Sequence, residues 1–391
     1  VAWFGVSTAS EQKGKEKMNQ RKNGQARIAV CACLMALALT LLTASAGASD
    51  QTDASGQWVY TLEDGGAVIR YCAAEPEGDL LIPSELDGHP VTGIDHKAFE
   101  LCTGITSVII PDSVTSIGNW AFSNCSLTSV TMPTSVTSIG DGMFFGCTYL
   151  TGITIPDSVT SIGDFAFMGS GLATVTIPAS VTALGQNPFM DAALTHIGVS
   201  ADNPAFTSID GVLFDKQQHT LLSYPNAREG AYTIPEGTQH IHATAFWMCK
   251  GLTGITIPHG VTSIGSEAFA FCSGLTSLVI PASVTSIGND AFEWCENLTS
   301  VTIPVGIASI GYGTFAGCGR LTNIIIPDSI TYIGRYAFVS CASLTSVTIP
   351  DSVISIGEGA FEECGKLTFN VNEGSHAHQY AVENNIPVKL D

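Results

Sequence analysis

Apolar and polar positions in this chain follow a pattern that restarts every two dozen residues or so. Ahead of a recurring proline the period is two: Val347 and Ile349 fall on one side, Ser346 and Thr348 on the other, as in a half-buried strand. Pro350 withdraws a backbone donor and ends that strand. Val353 and Ile356 then return to the apolar side, and Gly357 permits a sharp corner. A short helical turn is expected to carry Ala360 and Phe361 inward before Cys364 closes the unit. The proline recurs at Pro111, Pro133, Pro156 and Pro178, and again at Pro235, Pro258, Pro281, Pro304, Pro327 and Pro350, spaced by 22 or 23 residues within each series. Pro83 begins a looser first copy. A fixed period of this size predicts stacked coils, each too small to bury its own apolar face.

The aromatic position of the unit is occupied by Phe99, Phe122, Phe144, Phe167, Phe189, Phe246, Phe269, Phe292, Phe315, Phe338 and Phe361, which predicts a spine of rings through a continuous core. With strands about 4.8 Å apart, eleven or so coils make a rod of roughly 55 Å. Between Pro178 and Pro235 the interval is 57 residues, so about 34 extra residues interrupt the series. Within them Val212-Leu213-Phe214 and Leu221-Leu222-Ser223-Tyr224 flank a turn at Asp215–His219. This reads as a hairpin or irregular coil bulging from the rod, either an adapter between two blocks or a contact loop.

The unit L-x-x-[VI]-x-I-P-x-x-[VI]-x-x-I-G-x-x-A-F-x-x-C over residues 79–366 resembles the BspA-like (Treponema-type) leucine-rich repeat family. The flanks are similar too: Trp58-Val59-Tyr60 to Tyr71 resembles that family's N-terminal hairpin, and Gly374 through Tyr380 to Pro387 resembles its closing cap. The expected fold is a repeat solenoid, a right-handed leucine-rich-repeat coil of about 11 copies with a parallel sheet of short strands, short helical turns and a cap at each end. Its expected divisions are an export signal (1–48), an N-terminal cap with a degenerate first repeat (49–100), a first repeat block (101–192), an insertion (193–232), a second block (233–366) and a C-terminal cap (367–391). The resemblance implies a bacterial surface protein that adheres to host or neighbouring-cell proteins.

Composition narrows the partners. With 45% hydrophobic and only 13% charged residues the chain must bury a core. Its net charge of −20 becomes −24 without residues 1–46, which hold six of fifteen basic residues and two of thirty-five acidic ones. So acidic a surface repels phosphate backbones and anionic headgroups, which argues against nucleic acid and membrane partners. From Met18 a basic stretch to Arg27 leads into the apolar run Ile28–Leu42 and then small residues to Ala48, the layout of a secretory signal cleaved after Ala46 or Ala48. Residues 1–17 do not fit an n-region, so Met18 is taken as the start. Fifteen apolar residues are short for a span, which needs about twenty. The expectation is therefore export without membrane insertion after cleavage.

Candidate chemistry is sparse. Cys102, Cys125, Cys147, Cys249, Cys272, Cys295, Cys318, Cys341 and Cys364 share one repeat position, which also accepts Ser170 and Ala192. The position asks for a small side chain, and buried free thiols are expected over disulfides; Cys72 lies outside the column. His240 with His242 and His376 with His378 lack a third metal ligand, and Asp202, Asn203 and Asp210 do not match a calcium loop. Neither G-x-S-x-G, H-E-x-x-H nor a phosphate-binding glycine loop occurs, so neither an enzyme nor a cofactor is expected. Two features could serve binding. One is the outward ladder Thr131, Thr154, Thr176, Thr256, Thr302 and Thr348, with Ser107, Ser129, Ser277, Ser300 and Ser346 beside it. Such residues suit any solvated sheet, but they also suit a protein, a glycan or, less readily, an ice lattice. The other is the variable aromatic set Trp120, Phe145, Phe165, Trp247, Met248, Phe271, Trp294, Tyr312 and Tyr336. Trp247, Met248, Phe271 and Trp294 form its densest part and are expected either to contact a partner or to pack coil on coil. The leading expectation is an extracellular interaction protein with a protein or glycan ligand; the alternative is a passive envelope element.

Overall fold

The computed structural model describes residues 49–390, so the expected signal at 1–48 lies outside the described residues. Residues 49 onward form one compact unit of stacked coils. Each coil has three sides, and along each side neighbouring coils are joined by hydrogen bonds at most steps of the array.

The first side is the strand read from the alternating pattern. Ile105–Ile109 pairs in parallel with Ser129–Thr131, Thr174–Ile177 with His196–Val199, and Asn323–Ile325 with Ser346–Thr348. Val347 and Ile349 are buried while Thr348 is exposed, as the alternation requires. The second side is a two-residue strand such as Ser309–Ile310, Tyr332–Ile333 and Ser355–Ile356, again paired in parallel. These strands close a second ladder beneath residues the sequence marked only as inward-pointing.

The third side carries Ala-Phe, and here the expected helical turn is absent. Alternate amides bond in different directions: Ala121 N–H and Ser123 N–H donate within the coil to Gly118 and Trp120 carbonyls (3.3 and 3.1 Å), while Trp120, Phe122 and Asn124 N–H donate to Asp141, Met143 and Phe145 of the next coil (2.8, 3.1 and 2.6 Å). A helix would use every amide internally. The alternation is possible because two residues per coil, four apart, take left-handed conformations: Trp120 (φ 62°) with Asn124 (φ 55°), Asp290 with Trp294 (both φ 55°), Gly313 (φ 57°) with Gly317 (φ 71°).

Between the sides runs the core. Phenylalanine rings stack face to face from Phe99 to Phe189 and from Phe246 to Phe361, with centroids 4.8–6.0 Å apart. At one end the hairpin Trp58–Glu63 with Gly66–Cys72 lays Trp58 edge-on against Phe99 at 6.4 Å. At the other, helix His376–Glu383, N-capped by Ser375, brings Tyr380 edge-on to Phe361 at 6.3 Å and close to parallel with Phe369 at 6.4 Å.

The interrupting segment is woven into the rod and does not bulge from it. Phe206–Ile209, Val212–Asp215 and Thr220–Ser223 form antiparallel pairs, and Thr220–Ser223 then joins the second ladder in parallel with His240–Ile241. The next residue, Tyr224, donates its N–H to the Ala245 carbonyl at 2.8 Å and stacks on Phe246 at 4.9 Å. Tyr224 thus occupies the spine position, and the segment is a coil enlarged by a hairpin.

Candidate interaction surfaces

From Cys125 onward the cysteine column is buried, and Cys102 at its start is half-buried. Cys125, Cys147, Cys272, Cys295, Cys318, Cys341 and Cys364 are free thiols, and each Sγ donates to the carbonyl of the spine Phe one coil earlier, at 2.9–3.3 Å. Ser170 at the same position is buried with its Oγ unpartnered, so a hydroxyl there does not make the bond that sulfur makes. Sulfur is therefore matched to the site by this bond as well as by size. Burial pushes the Cys147 thiol up to about 12 and those of Cys295 and Cys318 well above the ordinary range. Cys72 is likewise pushed up to about 12, by burial and then by the neighbouring Cys102.

Acidic groups also have structural duties. Asp141 and Asp164 carboxylates accept the backbone N–H of Asp164 (2.8 Å) and Gln186 (2.6 Å), one coil on, so acids cap successive turns. Asp112 takes the N–H and hydroxyl of Thr134 (2.7 and 2.9 Å), which hold its carboxyl below the usual range. Among the described residues no group of three His, Cys, Asp or Glu could hold a metal ion. His240 Nδ1 meets Ser263 Oγ at 2.8 Å, and His378 Nδ1 accepts Gly374 N–H at 3.0 Å.

Of the aromatic candidates, Trp247, Met248 and Phe271 are buried and Trp294 is half-buried. Trp247 packs edge-on against Phe271 at 5.7 Å. Met248, Phe271 and Trp294 occupy one left-handed position in successive coils, and the next coil has Gly317 there. A Cβ on Gly317 would lie 2.5 Å from the Trp294 ring, so the glycine makes room for the tryptophan; Gly142 does the same for Trp120 at 2.3 Å. These residues join coil to coil, and burial removes the first three from any contact patch.

The first ladder offers a surface of another kind. No strand in it from Ile105–Ile109 to Thr368–Val371 carries Asp, Glu, Lys or Arg. Two rows of hydroxyls differ in role. Thr299 and Thr345 at the strand entrance donate to carbonyls of the previous coil (2.9 and 3.2 Å) and complete the backbone ladder. Thr256, Thr302 and Thr348 stand exposed at the strand exit, alternating with Val279 (70% exposed) and Ile325 (79%). Among the described residues only the Thr348 hydroxyl of these three has a protein partner, the Asn370 amide at 3.1 Å. Two grooves accompany the rod: one of about 770 Å³ over Gly152, Thr154, Thr176 and Ala179, and one of about 540 Å³ between Tyr336, Glu362 and Tyr380. Neither lining places a histidine or lysine beside a serine or cysteine. Among the described residues no helix is long and apolar enough to cross a membrane.

Comparison with known proteins adds a family. The profile described as a BspA type leucine rich repeat region (6 copies) matches residues 85–195, 230–341 and 262–385. A leucine rich cell surface protein from Faecalibacterium prausnitzii A2-165 is 30% identical over 87% of this chain and 98% of its own, with a TM-score of 0.57. A leucine-rich repeat protein from Eubacterium ventriosum is 28% identical over 81% of this chain and 95% of its own, with a TM-score of 0.67. The pneumococcal vaccine antigen PcpA shares the fold at 19% identity and a TM-score of 0.63, covering 88% of this chain and 98% of its own. No curated protein matches the chain.

Proposed function

This chain belongs to the BspA-type leucine-rich repeat family, and from that premise we propose that it is an exported, non-catalytic surface protein that binds a partner protein through the exposed face of its first ladder. The observation that carries this reading is the separation of charge. A chain of net −20 keeps the long strand face of coils 252–348 free of ionised groups and exposes β-branched side chains along it. The desolvated centre of a protein interface is depleted of charge in the same way. The net charge of −20 disfavours anionic polymers as partners. The basic and apolar stretch between Met18 and Leu42 supports export.

The test is saturable binding of folded residues 49–391 to immobilised extracellular-matrix proteins and neutral glycans at physiological salt. The double variant T302E/I325E should bind about tenfold more weakly. Its stability should stay within about 0.5 kcal/mol, because both side chains are exposed. Binding that T302E/I325E leaves intact would remove this face from the function. Capture of a glycan and no protein would change the partner class, and no saturable binding at all would favour a passive envelope element.

A further inference from the structure

The rod is interrupted where its enlarged coil sits, and each of its ladders stops there. In the first ladder His196–Val199 pairs back to Thr174–Ile177, and pairing resumes with Gly230–Thr233 against Leu252–Thr256. In the second, Ala183–Leu184 pairs back to Ser161–Ile162, and pairing resumes with Thr220–Ser223. The ring stack ends at Phe189 and begins again at Tyr224. Buried side chains fall into two clusters, and Val212–Asp215 lies between them: Leu213 belongs to the N-terminal core, Val212 and Phe214 to the C-terminal one.

What crosses this plane is short-range: Leu213, Phe206 and Leu222 pack on the N-terminal core, beside a few polar contacts. Ala227 N–H donates to the Leu194 carbonyl and Ile197 N–H to the Gly211 carbonyl (2.9 and 2.8 Å). Asn187 Nδ2 donates to the Thr244 carbonyl at 2.9 Å, and Ser223 Oγ donates to Asn187 Oδ1 at 3.2 Å. Arg228 pairs with Asp210 at the hairpin tip while its guanidinium covers the Tyr224 and Tyr232 rings at 5.8 and 5.5 Å. Neighbouring coils within either half, by contrast, share a stacked ring and a common core cluster.

We infer that the enlarged coil is a hinge dividing the rod into two separately cooperative units, and that the Arg228–Asp210 clasp is the first contact to open. Repeat arrays unfold cooperatively only as far as nearest-neighbour coupling carries them. Here that coupling drops from a continuous ring stack and a shared core cluster to a few backbone and side-chain contacts. Opening the clasp frees the hairpin tip and lets the two rigid halves change their angle without breaking either ladder.

The column thiols report on each half independently. The full chain is exposed briefly to a thiol-alkylating reagent across a denaturant series, and labelling of Cys125 and Cys147 is compared by mass spectrometry with that of Cys272, Cys295, Cys318 and Cys341. Two labelling midpoints are expected, one per half. Arg228→Ala, and independently Asp210→Asn, should speed amide exchange across 206–215 about fivefold while leaving both midpoints in place. A single midpoint shared by all six cysteines would overturn the division. Unchanged exchange at 206–215, or a parallel shift of both midpoints in either variant, would overturn the clasp.

Discussion

A cysteine in this molecule does two things that a small residue alone would not: it fills the corner of the coil and reaches a carbonyl of the coil before. Cys295→Ala removes both the sulfur and its bond to the Phe269 carbonyl, and a loss of about 1–2 kcal/mol in chemical denaturation is expected. Cys295→Ser should recover little of it, since the Ser170 hydroxyl does not make the bond. Folding holds the Cys147, Cys295 and Cys318 thiols neutral at pH values where an unfolded chain would ionise them. Their stabilisation is complete below the ordinary thiol range and is lost as pH rises above about 9, so melting temperature should fall there and native alkylation should stay slow. Rapid native alkylation of Cys295 at pH 7 would contradict the buried column. Ser170 and Ala192 made the small-residue requirement legible in the sequence. The sulfur–carbonyl bond was not, because it joins residues 26 apart and depends on the register between coils.

Among the elements, the strand ahead of each proline was readable because its alternation extends over several residues. The second ladder was not, because a strand such as Ser355–Ile356 is too short to show a period. The third side was misread as helical: Ala-Phe spacing fits a helix, yet the left-handed residues that prevent one include Trp120, Phe271 and Trp294, which sequence gives no reason to place there. Those residues and the glycines above them act as pairs. Gly317→Ala should cost about 1–3 kcal/mol, from a left-handed backbone and a collision with the Trp294 ring. In Trp294→Ala the same substitution should cost less, because the collision is gone and only the backbone penalty stays. A double-mutant cycle by thermal unfolding measures the difference, and strict additivity would refute the pairing.

For the whole molecule, repeat period, spine and stacking were all legible, since each coil answers only to its neighbours and so repeats its solution in sequence. The enlarged coil was legible as a hairpin but not as a member of the rod, because Tyr224 takes a position where every other copy has Phe. The aromatic set left two readings open in the sequence, partner contact and coil-on-coil packing, because variability between copies fits either. In the structure that variability is complementary packing, and the exposed candidates left are Thr256, Thr302 and Thr348 on the charge-free face. A surface sorted in this way ties binding to salt only weakly: if the face itself makes the contact, raising ionic strength should change affinity far less than T302E/I325E does.

The two ends of such a rod are cross-sections of one repeating object, so each is a template for the other. Trp58 covers one exposed ring and Tyr380 the opposite one, and with both in place the stack stops. With both caps removed, Phe99 and Phe361 would face solvent on two flat ends, each shaped to receive the other on a second molecule. Contacts of that head-to-tail kind do not close on themselves. Hairpin and helix thus do more than complete a fold: seated on the end rings, they keep coils of separate molecules from stacking on one another.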